Sequence, residues 1–378
     1  MSNEGEKATI VTYPHEFDKQ EIVDLAKAAG YKVEAVMTQK QVVKSEYGVG
    51  VGKADELREM VEENGSKTII IDESITSAQA NKLAAMTHVQ VIDRERLILN
   101  IFSRRANTTE AKLQVQLAEL RYELPRARDT VKNSVKGEKA GFMGMGEFAV
   151  DIAFRDLKRR MTFVKKKLEK SRTSRQVQTI ERKKLNVPFV SLAGYTSSGK
   201  TTLFNRLASE SKEESPKLFT TLATTTRLVG FTNSRRKVML SDTVGFISRL
   251  PTYLVESFRS TLDELRYADL VLLMVDASEP VDSVRIKLAS CRETLDELEV
   301  DPKKVLVVLN KIDLLTGRMP DGIEKDPLLS DFAVVRTSAV RGDGLHQLRN
   351  RILERTYPPK GKASTEDVHQ RSTASASQ

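Results

Sequence analysis

The sequence predicts an α/β protein, two parallel-sheet domains joined by a helical hairpin. Three observations carry that prediction. Strand and helix patterns alternate from about residue 7 to residue 100, the order that builds a parallel sheet. Two apolar stripes at helical spacing flank a glycine-bearing stretch in the middle of the chain. A short apolar run at 188–193 then enters Gly194-x-x-x-x-Gly199-Lys200-Thr201, and Leu203, Phe204 and Leu207 follow at helical spacing. Strand, glycine loop and helix in that order form the context of a phosphate-binding loop.

Composition narrows the class. The chain has 378 residues, 30% of them charged, with a net charge of +9. That length suits two or three domains. One cysteine, Cys291, excludes an intrachain disulfide framework and suits a reducing, cytoplasmic setting. It falls in a helical pattern and reads as packing. The four histidines, at 15, 88, 346 and 369, do not form a zinc spacing with it. No stretch reaches about 18 apolar residues, so no membrane span or integral membrane partner is expected. The polar first six residues are not a signal peptide.

Taken in order, residues 8–13 read as a strand, about 18–29 as a helix ended by Gly30, and 31–38 as a second strand. Tyr47-Gly48-Val49-Gly50-Val51-Gly52-Lys53 follows, then a helix at 54–63, a strand at 68–71, a helix carrying Ala78, Leu83 and Ala84, and a strand at 89–92. The glycine run lacks the Gly-x-Gly-x-x-Gly spacing, and Lys53 is followed by Ala54, so it is not a second phosphate loop. These elements form a domain spanning 1–104.

A linker spans 105–186. Leu113, Leu117, Leu120 and Leu124 lie on one face of a helix from 109 to 124, which Pro125 is expected to stop. Residues 126–149, with four glycines, read as a flexible loop. Leu157, Met161, Val164 and Leu168 repeat the stripe, so the two helices should pair seam to seam as a hairpin. Between residues 155 and 184 there are thirteen Lys or Arg and three acidic residues, which accounts for the whole net charge. Arg159, Arg160, Lys165, Lys166 and Lys167 are the candidate contacts to RNA phosphates. No DNA-reading or aromatic RNA-binding motif accompanies them, so contact by charge and shape is expected, with no DNA partner.

Residues 187–357 form the nucleotide domain. Gly194, Tyr195, Thr196, Ser197, Ser198, Gly199, Lys200, Thr201 and Thr202 would surround phosphate oxygens through backbone N–H groups, with Lys200 on the outer phosphates and Thr201 on Mg2+. A strand at 237–240 ends in Asp242-Thr243-Val244-Gly245-Phe246; Asp242 can hold magnesium through water and Gly245 can donate to a terminal phosphate. Buried strands at 270–276 and 305–309 follow, the second ending in Asn310-Lys311-Ile312-Asp313. A carboxylate there can accept from both N1 and N2 of guanine, a pair adenine lacks. Ser338, Ala339 and Val340 could touch the base edge, and Leu345, Leu348 and Ile352 read as the closing helix. The tail, 358–378, is rich in Ser, Thr, Ala and Gln and reads as disordered.

In these motifs the chain resembles the HflX family of translational GTPases, in its archaeal type. The resemblance rests on Gly194-Tyr195-Thr196, Asp242-Thr243-Val244-Gly245-Phe246-Ile247 with Leu250-Pro251, and Val275-Asp276-Ala277-Ser278. It also rests on Val91-Ile92-Asp93-Arg94, Lys112-Leu113-Gln114-Val115-Gln116-Leu117 and Gly144-Met145-Gly146-Glu147. The resemblance implies a Ras-like P-loop GTPase domain behind an N-terminal α/β domain and a helical linker, binding of GTP and GDP, and association with the large ribosomal subunit and its RNA. Bacterial members split stalled ribosomes. Three positions depart from the family pattern. Ser197 stands where an Asn often holds potassium, so potassium stimulation is not expected. Switch I reads Ala223-Thr224-Thr225-Thr226-Arg227, with Thr226 as its magnesium threonine and Thr225 as the alternative. The linker turn lacks its proline. Phe246 follows Gly245 where a glutamine would orient water, so hydrolysis should be slow without a partner. The competing class is a nucleotide-gated RNA-binding or assembly module. The protein is expected to act as a monomer.

Overall fold

The computed structural model describes residues 4–40, 45–137, 152–170, 187–208, 224–231, 236–315, 323 and 326–358. The first sheet has strands β1 (Glu6–Thr12), β2 (Tyr31–Thr38), β3 (Thr68–Ile71) and β4 (Gln90–Asp93), all parallel, in the order β2-β1-β3-β4. The middle strands are the most apolar, because helices cover both of their faces. These helices are α1 (Glu16–Ala28), α2 (Val51–Asn64), α3 (Ser77–Thr87) and α4 (Arg94–Arg105). Local chemistry sets their ends: Thr76 and Gln79 form a reciprocal capping box on α3, Asp93 caps α4, and Gly65 closes α2 in the left-handed region. Helix α2 starts at Val51, three residues before the expected Ala54. Gly48, at φ +73°, makes the turn, and the buried Val49 anchors it. The glycine run is a helix entry.

The linker differs from its expected form. Helix α5 (Thr109–Gly137) runs through Pro125, so residues 126–137 are helix where a loop was expected; residues 138–149 lie outside the described ones. A proline removes one backbone donor, and here tertiary contacts on both sides of it offset that loss. Arg121 donates to the Tyr253 carbonyl at 2.9 Å. The Arg126 guanidinium stacks 3.8 Å from the Tyr122 ring centroid and donates to the Ile75 carbonyl and to Asp93. Residues 152–170 form α6. Val164, with Leu157, Met161 and Leu168, packs on Leu113, Leu117 and Leu120, the expected seam. Leu124 is half-buried outside that cluster. The loop glycines 141, 144 and 146 and the tail from 359 lie outside the described residues.

The second sheet has six strands in the order β10-β9-β8-β5-β7-β6. They are β5 (Phe189–Gly194), β6 (Thr225–Gly230), β7 (Lys237–Asp242), β8 (Leu270–Asp276), β9 (Val305–Asn310) and β10 (Ala333–Arg336). All neighbours are parallel except β6, an antiparallel edge strand that the threonine-rich sequence did not announce. Around them lie α7 (Lys200–Ala208), α8 (Thr252–Ser257), α9 (Arg259–Arg266), α10 (Val281–Glu297) and α11 (Leu345–Thr356). Strand β5 lies between β7 and β8, so the strand order reverses beside it. That opens a crevice at the carboxyl ends of the strands, where such sheets bind ligands.

The two sheets share a core. One cluster runs from Ile22, Leu97 and Phe102 of the first unit to Phe246, Ile247, Leu254 and Phe258 of the second. Phe102 and Phe258 meet edge to face with centroids 4.7 Å apart. Sequence periodicity placed a boundary near residue 104, but α1, α4 and α5 use their apolar faces on both sides of it.

Candidate nucleotide-binding site

The phosphate loop joins β5 to α7, and two glycines are dictated by close neighbours. Gly194 sits at φ +138°, where a Cβ would lie 2.3 Å from the Met274 carbonyl oxygen. Gly199 sits at φ +94°, where a Cβ would lie 2.3 Å from Asn310 Nδ2. Ser197 is also left-handed, at φ 61°, a region in which Asn is favoured over Ser. Lys200 is buried and donates to the carbonyls of Gly194, at 3.0 Å, and Tyr195, at 2.7 Å. Burial pushes its pKa down to about 8, against the opposing pull of Asp242. Anionic phosphate oxygens at this loop would restore its full charge. Thr196 and Ser198 are buried in the loop and Thr202 is half-buried behind it.

Thr201 Oγ1 donates to Asp242 Oδ2 at 2.9 Å, which brings a hydroxyl and a carboxylate together across β5 and β7. Hard oxygens of this kind suit magnesium. No group of three or more His, Cys, Asp or Glu gathers among the described residues. Gly245 lies directly over the loop: a Cβ there would meet Thr196 Cγ2 at 2.8 Å and Lys200 Nζ at 3.1 Å. Phe246 N donates to Gly194 O and Thr196 N donates to Phe246 O, so this segment is zipped to the phosphate loop. The Phe246 side chain is buried in the shared core, as is Val244, and Thr243 bonds to the Leu192 carbonyl.

At the other side of the crevice, Asn310 commits its amide within the protein. Its Nδ2 donates to Ser198 O at 2.9 Å, and its Oδ1 accepts from Ala339 N at 3.0 Å. It therefore ties the phosphate loop to the loop holding Ser338 and Ala339. Ser338 Oγ accepts from Arg341 N, and Val340 is 70% exposed. Lys311, at φ 65°, pairs with Asp276 at 2.5 Å, and Asp313 is half-buried in the turn that follows.

Two groups of residues belong to this site that motif reading did not assign. Glu264 of α9 accepts from Thr224 Oγ1 at 2.8 Å and Ser241 Oγ at 2.6 Å, joining the start of β6 to β7. The β6–β7 register sets Thr225 opposite Asp242 and Thr226 opposite Ser241. Thr225 thus shares the Asp242 face of the sheet, while Thr226 shares the Glu264 face. Residues 209–223, which include Ala223 at the start of the switch I motif, lie outside the described residues.

The second group comes from the first sheet. Arg94 is buried and donates to Glu21 and Asp72, each at 2.7 Å, and to the Ser248 carbonyl at 2.9 Å. Burial lowers its pKa, but the two carboxylates outweigh burial and hold the pKa above its ordinary value. Glu21 in turn accepts from the hydroxyl of Tyr195, inside the phosphate loop, and from the backbone N and hydroxyl of Ser248. Arg249 extends the contact to Asp18, at 3.3 Å, and to Asp72, at 3.1 Å. Arg94 belongs to the Val91-Ile92-Asp93-Arg94 motif, which the sequence shows without a task. The basic candidates Arg159, Arg160, Lys165, Lys166 and Lys167 lie on α6, all exposed, apart from these loops.

Three family models match successive parts of the chain. A family model described as GTP-binding GTPase N-terminal matches residues 16–103, one described as GTP-binding GTPase Middle Region matches 105–182, and one described as 50S ribosome-binding GTPase matches 189–311. The GTPase HflX of Thermococcus kodakarensis is 38% identical over 346 residues, covering 89% of this chain and 77% of that protein. The GTPase HflX of Hyperthermus butylicus is 34% identical over 368 residues, covering 94% and 97%. Among solved structures, the SsGBP and GDP complex superposes with a TM-score of 0.52 at 28% identity, covering 92% of this chain and 98% of that one.

The clamp yields a stability prediction. Replacing Arg94 by Met would leave the buried carboxylates of Glu21 and Asp72 without their cation. That should cost about 3–5 kcal/mol of unfolding free energy. Urea unfolding of R94M and wild type measures it, and a loss under about 1 kcal/mol would mean the carboxylates are satisfied without Arg94.

Proposed function

Because the chain belongs to the HflX family of GTPases, we propose that it hydrolyses GTP to GDP and phosphate and couples its nucleotide state to binding of the large ribosomal subunit. The observation that carries the catalytic half is the convergence of Lys200, the Thr201–Asp242 pair and Gly245 on one loop, with Asn310 tying that loop to the base-side turn. The ribosomal half is supported by the description of the family matched over 189–311 and by the exposed basic face of α6.

In this reading Lys200 turns from the carbonyls of Gly194 and Tyr195 to the outer phosphates, and the Gly245 N–H donates to the terminal one. Thr201 and Asp242 would hold magnesium, and the β6–β7 register favours Thr225, on the Asp242 face, over the expected Thr226 as the switch I threonine that would join them; the ion would neutralise charge developing on the phosphates. Asp313 reads guanine N1 and N2. The position after Gly245 offers only the buried ring of Phe246, which cannot orient water. Intrinsic turnover is therefore slow, and an activator on the ribosome supplies or orders the missing polar group. Ser197 carries no amide to hold potassium, so rates in potassium and sodium chloride should agree; a several-fold excess in potassium would overturn that point.

Base reading is tested with Asp313→Asn, which should move preference from GTP toward XTP, whose O2 suits an amide donor. Isothermal titration with both nucleotides decides it, and an unchanged preference would remove Asp313 from the base site. Ribosome coupling is tested by co-sedimentation with GDP, GTP and a non-hydrolysable analogue; equal pelleting in all three, or none, would refute it. Phosphate contact through α6 predicts that a Lys165/Lys166/Lys167 triple alanine variant binds large subunits more weakly and lowers the salt slope by about 3 at most. GTP affinity of that variant should hold, and an unaltered slope would leave the basic run a solvated face.

A further inference from the structure

One ring on α6 is poorly placed for a helix with its apolar face elsewhere. Leu157, Met161, Val164 and Leu168 form the seam against α5, but Phe163 is 59% exposed. Residues three and four positions apart are neighbours on a helix surface. For Phe163 these neighbours are Arg159, Arg160, Lys166 and Lys167, and all four are exposed. The Lys167 ammonium lies 4.5 Å from the ring centroid, while Arg159 also pairs with Asp156 at 2.8 Å. The same pairing recurs one turn from the helix start, with Lys158 4.7 Å from the Phe154 ring centroid.

A Phe side chain left in water forgoes about 1.5–3 kcal/mol of burial. Set amid four exposed cations, that ring offers a flat apolar surface inside a positive field. A duplex would satisfy those cations through its phosphates and leave the ring wet, because its bases are stacked inside. An unpaired nucleotide offers a flat base and a phosphate together, which is what an aromatic set in a basic groove takes up. We propose that Phe163 is a stacking platform for an unpaired RNA base, with Arg159, Arg160, Lys166 and Lys167 holding the neighbouring phosphates. This rests on the RNA reading of α6 above and narrows it to single-stranded segments.

The chain contains no tryptophan, so F163W places a single fluorescent reporter at the site. The full-length variant would be titrated with a 12-nucleotide oligouridylate, a 12-base-pair RNA duplex and polyglutamate. Quenching by the single strand, and not by duplex at equal phosphate concentration, is the expected result. In anisotropy titrations F163A and F163L should both lose about 5- to 150-fold in single-strand affinity and little in duplex affinity, with GTP affinity unchanged. A variant with the four cations replaced by alanine should lose both. If F163A binds the single strand like wild type while the four-cation variant binds weakly, the contact is by charge alone and the stacking proposal falls, with the RNA reading intact. If the four-cation variant also binds like wild type, the RNA reading fails. Quenching by polyglutamate alone would replace RNA with an acidic protein partner.

Discussion

The structure turns on a buried guanidinium. Arg94 is charged at every accessible pH, so it must be surrounded by acceptors wherever it is buried. Glu21 and Asp72 provide two from the first sheet, and the Ser248 carbonyl provides the third from the second. Neither carboxylate can move away alone without leaving a charge in a low-dielectric interior, and loss of the Ser248 carbonyl would cost a charge-assisted hydrogen bond. The two sheets are therefore held in one arrangement by electrostatics, and the apolar cluster from Phe102 to Phe258 closes around that arrangement. The same carboxylate of Glu21 holds the Tyr195 hydroxyl and Ser248, so the clamp touches the phosphate loop on one side and the segment that follows Asp242 to Phe246 on the other.

Within the second sheet, the site is built by exclusion of side-chain volume. Gly194, Gly199 and Gly245 stand where a Cβ would strike a carbonyl, an amide or the phosphate loop itself. This lets Asp242, Lys200 and Thr201 crowd into the crevice beside β5, where each is presented by a strand end or a helix start. Lys200 is held there at an electrostatic cost, seen in its lowered pKa, and a bound anion would remove that cost. Site residues that are uncomfortable without their ligand are a common property of preorganised binding.

The linker divides its surfaces between two tasks. Its apolar seam joins α5 and α6, and α5 also packs on the segment around Tyr253 and Thr261. That leaves the basic face of α6 to solvent. A charge run confined to such a face affects what the protein meets, and has little influence on how it folds.

Much of this was legible in the residues themselves. Strands β2, β3 and β8 matched their expected limits because each stretch of strand-forming residues is bounded by glycine or polar residues. The order of phosphate loop, Asp242-to-Gly245 segment and Asn310-to-Asp313 segment fixed the nucleotide class, since each motif needs only a strand before it and a loop after it. Such features depend on neighbours within a few positions, which a sequence displays. Pro125 misled because its local preference was outweighed by Arg121 and Arg126 reaching partners far away in sequence. Edge strand β6 escaped notice because its pattern alternates weakly and its pairing with β7 supplies the order. Glu21, Arg94 and Glu264 carried no local sign of their roles, since a charged residue on a helix looks alike whether it faces water or a buried partner. Only the tertiary structure decided those, because the free energy of a buried charge is set by groups that the fold brings from distant parts of the chain.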